Sequence, residues 1–218
     1  MKKIVFFTIA LIYFDFSGLY AQSMKDIDGN VYAAATIGKQ VWMAENLKTT
    51  KLNDGTPIPF ITKNLGWAAL KTPGYSWFEN KSENEEIYGA LYNWFTVDTK
   101  KLCPTGWHVP TASDWKILVA FLGDVTKAGD KLKEAGSDHW KNSLTIATNE
   151  LDFTALPSGF RFYGGGFPEP DSYAVFWSST GYDENQAWNW GLFFTSSKIY
   201  NGYDQKRAGF SVRCLKDN

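Results

Sequence analysis

The sequence has 218 residues, with 22 Lys and Arg against 23 Asp and Glu, which gives a formal net charge of −1. This balance contains no basic block and argues against nucleic acid or anionic membranes as partners. Trp (10), Tyr (11), Phe (16) and Gly (19) are abundant, a composition typical of short strands and tight turns around a core of large rings.

The N-terminus has the charged, apolar and small-residue order of a secretory signal peptide. Lys2 and Lys3 precede an apolar run over residues 4–14, and the small residues after it predict cleavage behind Ala21. The run is far shorter than the roughly 20 residues that span a membrane, although a retained anchor is the alternative. We therefore expect residues 1–21 to be removed and residues 22–218 to form a single exported domain, in the periplasm, on the outer surface or outside the cell.

The first third of this domain reads as strands and loops. Turn residues at 28–30 and 53–55 flank the apolar runs 31–37 and 41–43, and Asp-Gly pairs between such runs are hairpin signals. Farther along, Ile87, Leu91 and Trp94 lie near helical spacing, which predicts a helix over residues 85–97.

The strongest helix signal follows Pro110. Thr111 is suited to cap a helix, with the acidic Asp114 three residues later. One apolar face then repeats at helical spacing, through Trp115, Leu118, Val119 and Leu122. Gly123 predicts the end of this helix, and a shorter helix is expected over residues 126–135.

The last third returns to strands, predicted at residues 153–156, 174–179, 187–194 and 209–214. In the third of these, one face carries Trp188, Trp190, Leu192 and Phe194, and the other carries Asn189, Gly191 and Phe193. In the last, Phe210, Val212 and Cys214 share one face, opposite Ser211 and Arg213.

The chain has two cysteines, Cys103 and Cys214. Two cysteines in an exported protein most often pair, whereas a reactive thiol pair is the alternative. We predict a disulfide between the segment that leads into the main helix and the final strand. Closing a loop of about 110 residues stabilises the fold by roughly 4 to 5 kcal/mol in the simplest chain-entropy treatment.

Several ordered segments resemble one family. They are residues 37–47 (IGKQVWMAENL), 88–94 (YGALYNW), 102–111 (LCPTGWHVPT), 131–136 (KLKEAG), 147–150 (ATNE), 153–157 (FTALP), 176–180 (FWSST) and 209–214 (GFSVRC). Together they resemble the Fibrobacter succinogenes major paralogous domain, over about residues 26–218.

The resemblance implies an α+β fold of the C-type lectin-like kind, nearest to the branch of the formylglycine-generating enzymes and the variable proteins of diversity-generating retroelements. Such a fold has short twisted antiparallel strands, two or three helices and long loops. Members of the family are commonly lipid-anchored or exported to the surface, and many are discussed as adhesion components. This chain has no lipidation cysteine, so its mode of attachment is left open.

We expect no catalytic residues. A formylglycine-generating activity needs a thiol pair, and Cys103 and Cys214 both lie in segments that read as structural. No Gly-x-Ser-x-Gly elbow supports a serine hydrolase, and His108 is expected to be a hydrogen-bonded packing residue. Glycoside hydrolysis needs two carboxylates across a sugar, whereas acids such as Asp171 and Asp183 read as solvated loop residues.

We also expect no metal or other cofactor. Calcium is the alternative at two places, the turn of residues 26–30 and the loop of residues 169–171 with Trp188 and Asn189. The turn lacks the distal glutamate of an EF-hand, and Trp190 stands where a calcium-dependent lectin motif has an aspartate. A plain hairpin turn is the preferred interpretation of residues 26–30.

The aromatic and polar segment of residues 181–207 is the candidate binding surface, because rings flanked by Asn, Asp and Gln suit recognition. At least one of Trp188 and Trp190 is expected to pack in the core. The candidate ligand-binding residues are Tyr182, Trp188, Asn189, Trp190, Tyr200 and Tyr203. We expect a recognition module for a glycan or a surface protein. The alternatives are an enzyme acting on polysaccharide or exported proteins, and a structural surface or filament subunit.

Overall fold

A computed structural model describes residues 23–141 and 146–217. The predicted signal peptide, residues 1–21, lies outside the described residues. The described residues form an α+β structure, which is the predicted fold class. Every pair of neighbouring strands is antiparallel. No helix among them is both long enough and apolar enough to cross a membrane.

The described strands are, in chain order, β1 (Ser23–Lys25), β2 (Val31–Ile37), β3 (Gln40–Met43), β4 (Tyr75–Ser76), β5 (Leu91–Asn93), β6 (Trp107–His108), β7 (Tyr173–Gly181), β8 (Gln186–Phe193), β9 (Ile199–Gln205), β10 (Gly209–Phe210) and β11 (Leu215–Lys216). The described helices are α1 (Asn64–Ala68), α2 (Glu83–Tyr88), α3 (Trp94–Asp98), α4 (Ala112–Leu122) and α5 (Ala128–Leu132), with a 3-10 turn at Phe78–Asn80. They form three sheets, in the orders β1-β2-β3-β11-β6, β10-β5-β4 and β7-β8-β9.

The main predicted helix is confirmed as α4. The Thr111 side chain accepts a hydrogen bond from the Asp114 N–H at 3.2 Å, and the Asp114 carboxylate accepts one from the Thr111 N–H at 2.8 Å, which is a capping box. Trp115, Leu118 and Leu122 are buried, and Gly123 follows with a φ of +81°. The shorter predicted helix is present only as α5, over five residues.

The predicted helix over residues 85–97 is wrong. The chain forms α2, then β5, then α3, and the break falls at Gly89, where φ is +70°. β5 is the central strand of its sheet, between β4 and β10. Tertiary pairing therefore overrides the helical spacing of Ile87, Leu91 and Trp94, of which Ile87 lies exposed.

Two other expectations need correction. The described part of the chain has five α-helices rather than the expected two or three, because, apart from α4, four connecting segments close into helices of five or six residues. Residues 153–156 were expected as a strand but make only one isolated bridge, between Ala155 and Lys133. Phe153 and Ala155 are nevertheless buried, so burial explains their apolar character without a strand.

Strand β7 separates two hydrophobic clusters. Val175 and Trp177 point into a first cluster, together with the disulfide and β5. Ala174 and Phe176 point into a second cluster, which includes the buried face of α4. Since successive residues of a strand face opposite sides, one strand supplies both cores.

The predicted disulfide between Cys103 and Cys214 is confirmed, and both residues are buried. It joins the segment before β6 to the segment between β10 and β11. The opposite side of the last segment is also buried: Arg213 donates to the Asn46 Oδ1 at 2.9 Å and to the Phe153 and Thr154 carbonyls. The polar face predicted for Ser211 and Arg213 thus lies in the interior, where each group has a hydrogen-bond partner.

Candidate functional site

The β7-β8-β9 sheet carries most of the predicted ligand-binding residues. Strand β8 pairs along its whole length with β9, so that Trp188 lies opposite Tyr203, Asn189 opposite Gly202, and Trp190 opposite Asn201. The alternation predicted for β8 is confirmed, because Trp190 and Leu192 belong to the second hydrophobic cluster. Strand β9 was not predicted from the sequence.

The pleat divides the predicted residues between the two faces of this sheet. Trp188, Trp190 and Tyr203 point towards α4, whereas Asn189 and Tyr200 point to the opposite face. Tyr182, just beyond β7, joins the first group by stacking on Tyr203, with ring centroids 3.9 Å apart. The structure therefore does not bring the six residues together as one site.

On the α4 side the rings form a series from the core to the surface. Trp190 is only 3% exposed and stacks on Trp115 at 5.5 Å, which assigns its ring to the core. Trp188 lies 6.5 Å from Trp190 and 5.3 Å from Tyr182. At the outer end, Tyr182 and Tyr203 are 46% and 49% exposed.

The opposite face of the sheet holds an open groove of about 360 Å³. Gly191 and Gly202 lie on neighbouring strands in its floor. The Phe193 ring covers Gly191, whereas the backbone at Gly202 is left open by the absence of a side chain. Its walls are rings, contributed by Phe160, Tyr173, Phe193, Tyr200 and Phe210. Phe193 and Tyr200 are nearly parallel, with centroids 4.8 Å apart and planes inclined by 21°.

Two polar side chains reach this groove from the sheet. Among the described residues, the Asn189 amide has no hydrogen-bond partner, so both its donors and its acceptor are available. The Asp204 carboxylate accepts one hydrogen bond, from the Gln205 N–H at 2.6 Å. Burial raises the pKa of Asp204, and the Gln205 N–H offsets this only in part. The groove thus combines apolar rings with a few polar groups that are open to a ligand.

A second cavity, of about 390 Å³, lies beside the disulfide and is lined by Cys103, His108 and Thr180 among others. The His108 Nδ1 lies 2.6 Å from the Asp217 carboxylate, and its Nε2 lies 3.4 Å from that of Asp114. Asp114 belongs to the cap of α4, and the Thr180 hydroxyl accepts the Ala112 N–H at 3.0 Å. These polar groups are used to hold the start of α4, and His108 is hydrogen-bonded as expected.

At the two places considered for calcium, the acidic side chains contact other groups of the protein. Asp26 accepts hydrogen bonds from Asn30 and from the Tyr32 hydroxyl, and Asp28 pairs with Lys51 at 2.8 Å. Glu169 pairs with Lys141, and the Asp171 carboxylate lies 3.4 Å from the Tyr88 hydroxyl. Among residues 23–141 and 146–217, no group of three or more His, Cys, Asp or Glu side chains is arranged to hold a metal ion.

Sequence reasoning missed several groove residues, above all Phe160, Phe193 and Asp204. The signal that was available is the alternation of Tyr200, Gly202 and Asp204, which marks one face of a strand. Phe160 and Phe210 come from distant segments, so only the fold brings them to the groove.

A protein-family model described as the Fibrobacter succinogenes major domain matches residues 35–216. No curated protein and no solved structure matches the chain.

Proposed function

We propose a recognition function for this chain, which belongs to the Fibrobacter succinogenes major domain family: it binds a glycan in the groove on the face of the β7-β8-β9 sheet that lies opposite α4. The observation that carries the proposal is the juxtaposition of the Phe193 and Tyr200 rings with the unpaired amide of Asn189 and the carboxylate of Asp204.

The chemistry of the groove suits a pyranose sugar. The C–H face of such a ring packs on aromatic side chains, and its hydroxyl groups need both donors and acceptors at the edge. Asn189 supplies both, and Asp204 supplies an acceptor. Gly202, which has no side chain, allows a flat ligand to approach the backbone of β9 closely.

Binding is preferred to catalysis because Asp204 is the single carboxylate among the groove-lining residues that the structure describes. Hydrolysis of a glycosidic bond ordinarily uses two carboxylates about 5 to 10 Å apart. An enzyme acting on polysaccharide or exported proteins is therefore the weaker candidate. A surface protein is the other binding partner we consider, since exposed rings also suit protein interfaces.

We further propose that the protein acts outside the cytoplasm and that its fold is of the C-type lectin-like kind. The signal-like residues 1–21 and the disulfide support export, because disulfides persist in oxidising compartments. The fold proposal is supported by the resemblance and by the short antiparallel strands around α4.

The proposal is tested on an array of immobilised glucans, xylans, mannans and pectins, followed by calorimetry with the oligosaccharide that binds. Tyr200→Ala and Asn189→Ala should each weaken binding about tenfold or more, because each removes a wall or a polar contact. Tyr182→Ala, on the other face of the sheet, is the matched control and should bind as the wild type does.

Circular dichroism confirms that the variants fold. The proposal is wrong if the folded wild type binds no glycan on the array, or if Tyr182→Ala weakens binding while Tyr200→Ala does not. Release of reducing sugar from the bound polysaccharide would instead favour the enzyme.

A further inference from the structure

Strand β9 forms an open edge of its sheet. It pairs with β8 on one side, and no strand in the described part of the chain pairs with the other side. The Lys206 N–H donates to the Asn185 carbonyl at 2.8 Å, one residue beyond the Gln186–Gln205 pair. Because hydrogen-bonded and non-hydrogen-bonded pairs alternate in an antiparallel ladder, the backbone groups of Asn201 and Tyr203 point away from β8.

Natural proteins usually protect such an edge. Here the outward N–H of Gln205 is capped by the Asp204 carboxylate, which ends the open stretch. Between Ile199 and Tyr203 the strand contains neither a proline nor a bulge, and its pairing with β8 is regular. The outward backbone groups of Ile199, Asn201 and Tyr203 are therefore in a form that another strand can pair with.

The sequence of β9 is complementary to itself about Asn201. If two copies pair antiparallel with Asn201 opposite Asn201, then Tyr200 of one copy lies opposite Gly202 of the other. The large ring meets a position without a side chain. In the same register, Tyr203 of one copy lies opposite Ile199 of the other.

The charges agree with this register. Lys198, just before β9, then lies opposite Asp204 of the other copy, on the face that also carries Tyr200. Lys198 is exposed, and its ammonium group has no partner among the described residues. The Asp204 carboxylate accepts only the Gln205 N–H. Two opposite-charge pairs, one at each end, thus favour the antiparallel arrangement.

The α4 side of the β9 edge is partly apolar. A cavity of about 380 Å³ lies between α4 and β9, lined by Val119, Val125, Ile199 and other residues. The register places the half-exposed ring of Tyr203 of the other copy beside Ile199, at the mouth of this apolar cavity. Burying that ring removes apolar surface from water.

We propose that the protein forms a two-fold dimer through antiparallel pairing of the β9 edges, centred on Asn201. The two sheets join into a six-stranded sheet, and a two-fold axis perpendicular to it places both grooves on the same side. This inference goes beyond the proposed function: in this register Tyr200 and Lys198 of one copy lie over Gly202 and beside Asp204 of the other, so part of each groove is shared with the second copy.

The first test exchanges the charges and measures mass by light scattering after gel filtration. The wild type should have twice the chain mass. Lys198→Asp and Asp204→Lys each place like charges opposite one another at both ends, so each should weaken the dimer about tenfold or more. The double variant Lys198→Asp/Asp204→Lys restores both pairs and should restore the dimer.

The second test is a cross-link. Asn201→Cys places two cysteines at the two-fold axis, where paired Cα atoms about 5.5 Å apart permit a disulfide. Gln205→Cys is the matched control, since its two copies lie roughly 25 Å apart in this register. Non-reducing electrophoresis should show a covalent dimer for Asn201→Cys alone.

The proposal is overturned if the wild-type protein has the mass of a monomer at about 1 mM, a concentration at which even a weak dimer forms. A dimer whose double charge variant remains dissociated, or one that cross-links equally at Gln205→Cys, overturns this register. Glycan binding by a monomer would leave the proposed function in place, so the two failures are distinguishable.

Discussion

Individual buried polar side chains join segments of this protein that are distant in sequence. Arg161 donates to the Thr62 and Gly165 carbonyls at 3.0 and 2.9 Å, and its guanidinium lies 4.4 Å from the Trp67 ring. Arg213 has the same kind of environment, with backbone carbonyls and the Phe153 ring at 4.3 Å. The guanidinium fork holds loops in place where no strand ladder is present.

Asp28 has a similar joining role near the surface. It accepts hydrogen bonds from the Thr50 N–H at 2.7 Å and the Thr49 hydroxyl at 3.0 Å, and it pairs with Lys51 at 2.8 Å. Burial alone would raise the pKa of Asp28, but these partners outweigh burial and lower it to about 2. The carboxylate therefore ties the β1-β2 turn to residues 49–51.

This depressed pKa gives a pH-dependent stability. The folded pKa lies below the unfolded value of 3.8, so the contribution is complete above about pH 4 and is lost as the pH falls towards 2. Asp28→Asn should lower the free energy of unfolding by about 1 to 2 kcal/mol at pH 7 and by progressively less below pH 4. Urea unfolding between pH 7 and 2.5 measures this difference.

Asp138→Asn, at an exposed position, is the control and should show little change. An Asp28→Asn deficit that stays constant down to pH 2.5 would contradict the assignment.

At the scale of elements, one glycine decides where α2 ends and β5 begins. A Cβ at Gly89 would lie 2.8 Å from the Asn46 Cβ and 2.9 Å from the Asn46 carbonyl oxygen. The position also has a positive φ. Close packing on a neighbouring backbone and an unusual conformation thus both require glycine here.

Gly89→Ala should therefore destabilise the protein by about 3 kcal/mol or more, the sum of backbone strain and a clash that cannot relax cheaply. Gly55→Ala is the matched control, because Gly55 also has a positive φ but nothing within 4 Å of its Cβ. It should cost only about 1 kcal/mol. Thermal unfolding of both variants checks the comparison, and equal losses would show that packing at Gly89 contributes nothing.

Whether a helix or strand could be predicted depends on whether its signals are local in the sequence. Helix α4 could be predicted because its cap, its apolar repeat and its terminal glycine are all local. Strand β5 could not, since it depends on pairing with residues 75–76 and 209–210. Strand β9 was missed because Gly and Asn interrupt its apolar pattern, and tertiary pairing with β8 decides its conformation.

The candidate site could be predicted only in part, because it too depends on contacts between residues that are distant in sequence. The ring-rich segment of residues 181–207 forms β8 and β9 in the structure, and because β9 was not predicted its residues could not be assigned to faces. Asn189 and Tyr200 line the groove, whereas Trp188 and Tyr203 lie on the other side. The walls from Phe160 and Phe210 depend on long-range packing, which no local pattern reports.

At the scale of the whole molecule, the disulfide closes the first hydrophobic cluster across 111 residues of sequence. The Cys214 carbonyl also accepts a hydrogen bond from the Met43 N–H of β3, at 3.0 Å. Through Cys214, the disulfide therefore connects β3 to the segment before β6 that contains Cys103. Its loss affects contacts that are far apart in the chain.

Cys103→Ala/Cys214→Ala should lower the free energy of unfolding by about 2 to 5 kcal/mol, largely because the unfolded chain gains freedom. Wild-type protein unfolded in a thiol reductant should show a similar loss, which separates the effect of the bond from that of the substitutions. Chemical denaturation measures both. A double variant as stable as the oxidised wild type would contradict this role for the bridge.

The division of β8 and β9 into two faces has a consequence for divergence among related proteins. A substitution at Tyr200 or Asp204 changes the groove without touching Trp190 or Leu192, whose side chains leave the sheet on the other side. Under the proposed function, ligand preference and the packing of the second cluster are therefore encoded at alternating positions of the same hairpin. Relatives could then change specificity by substitutions at every second residue without altering that cluster.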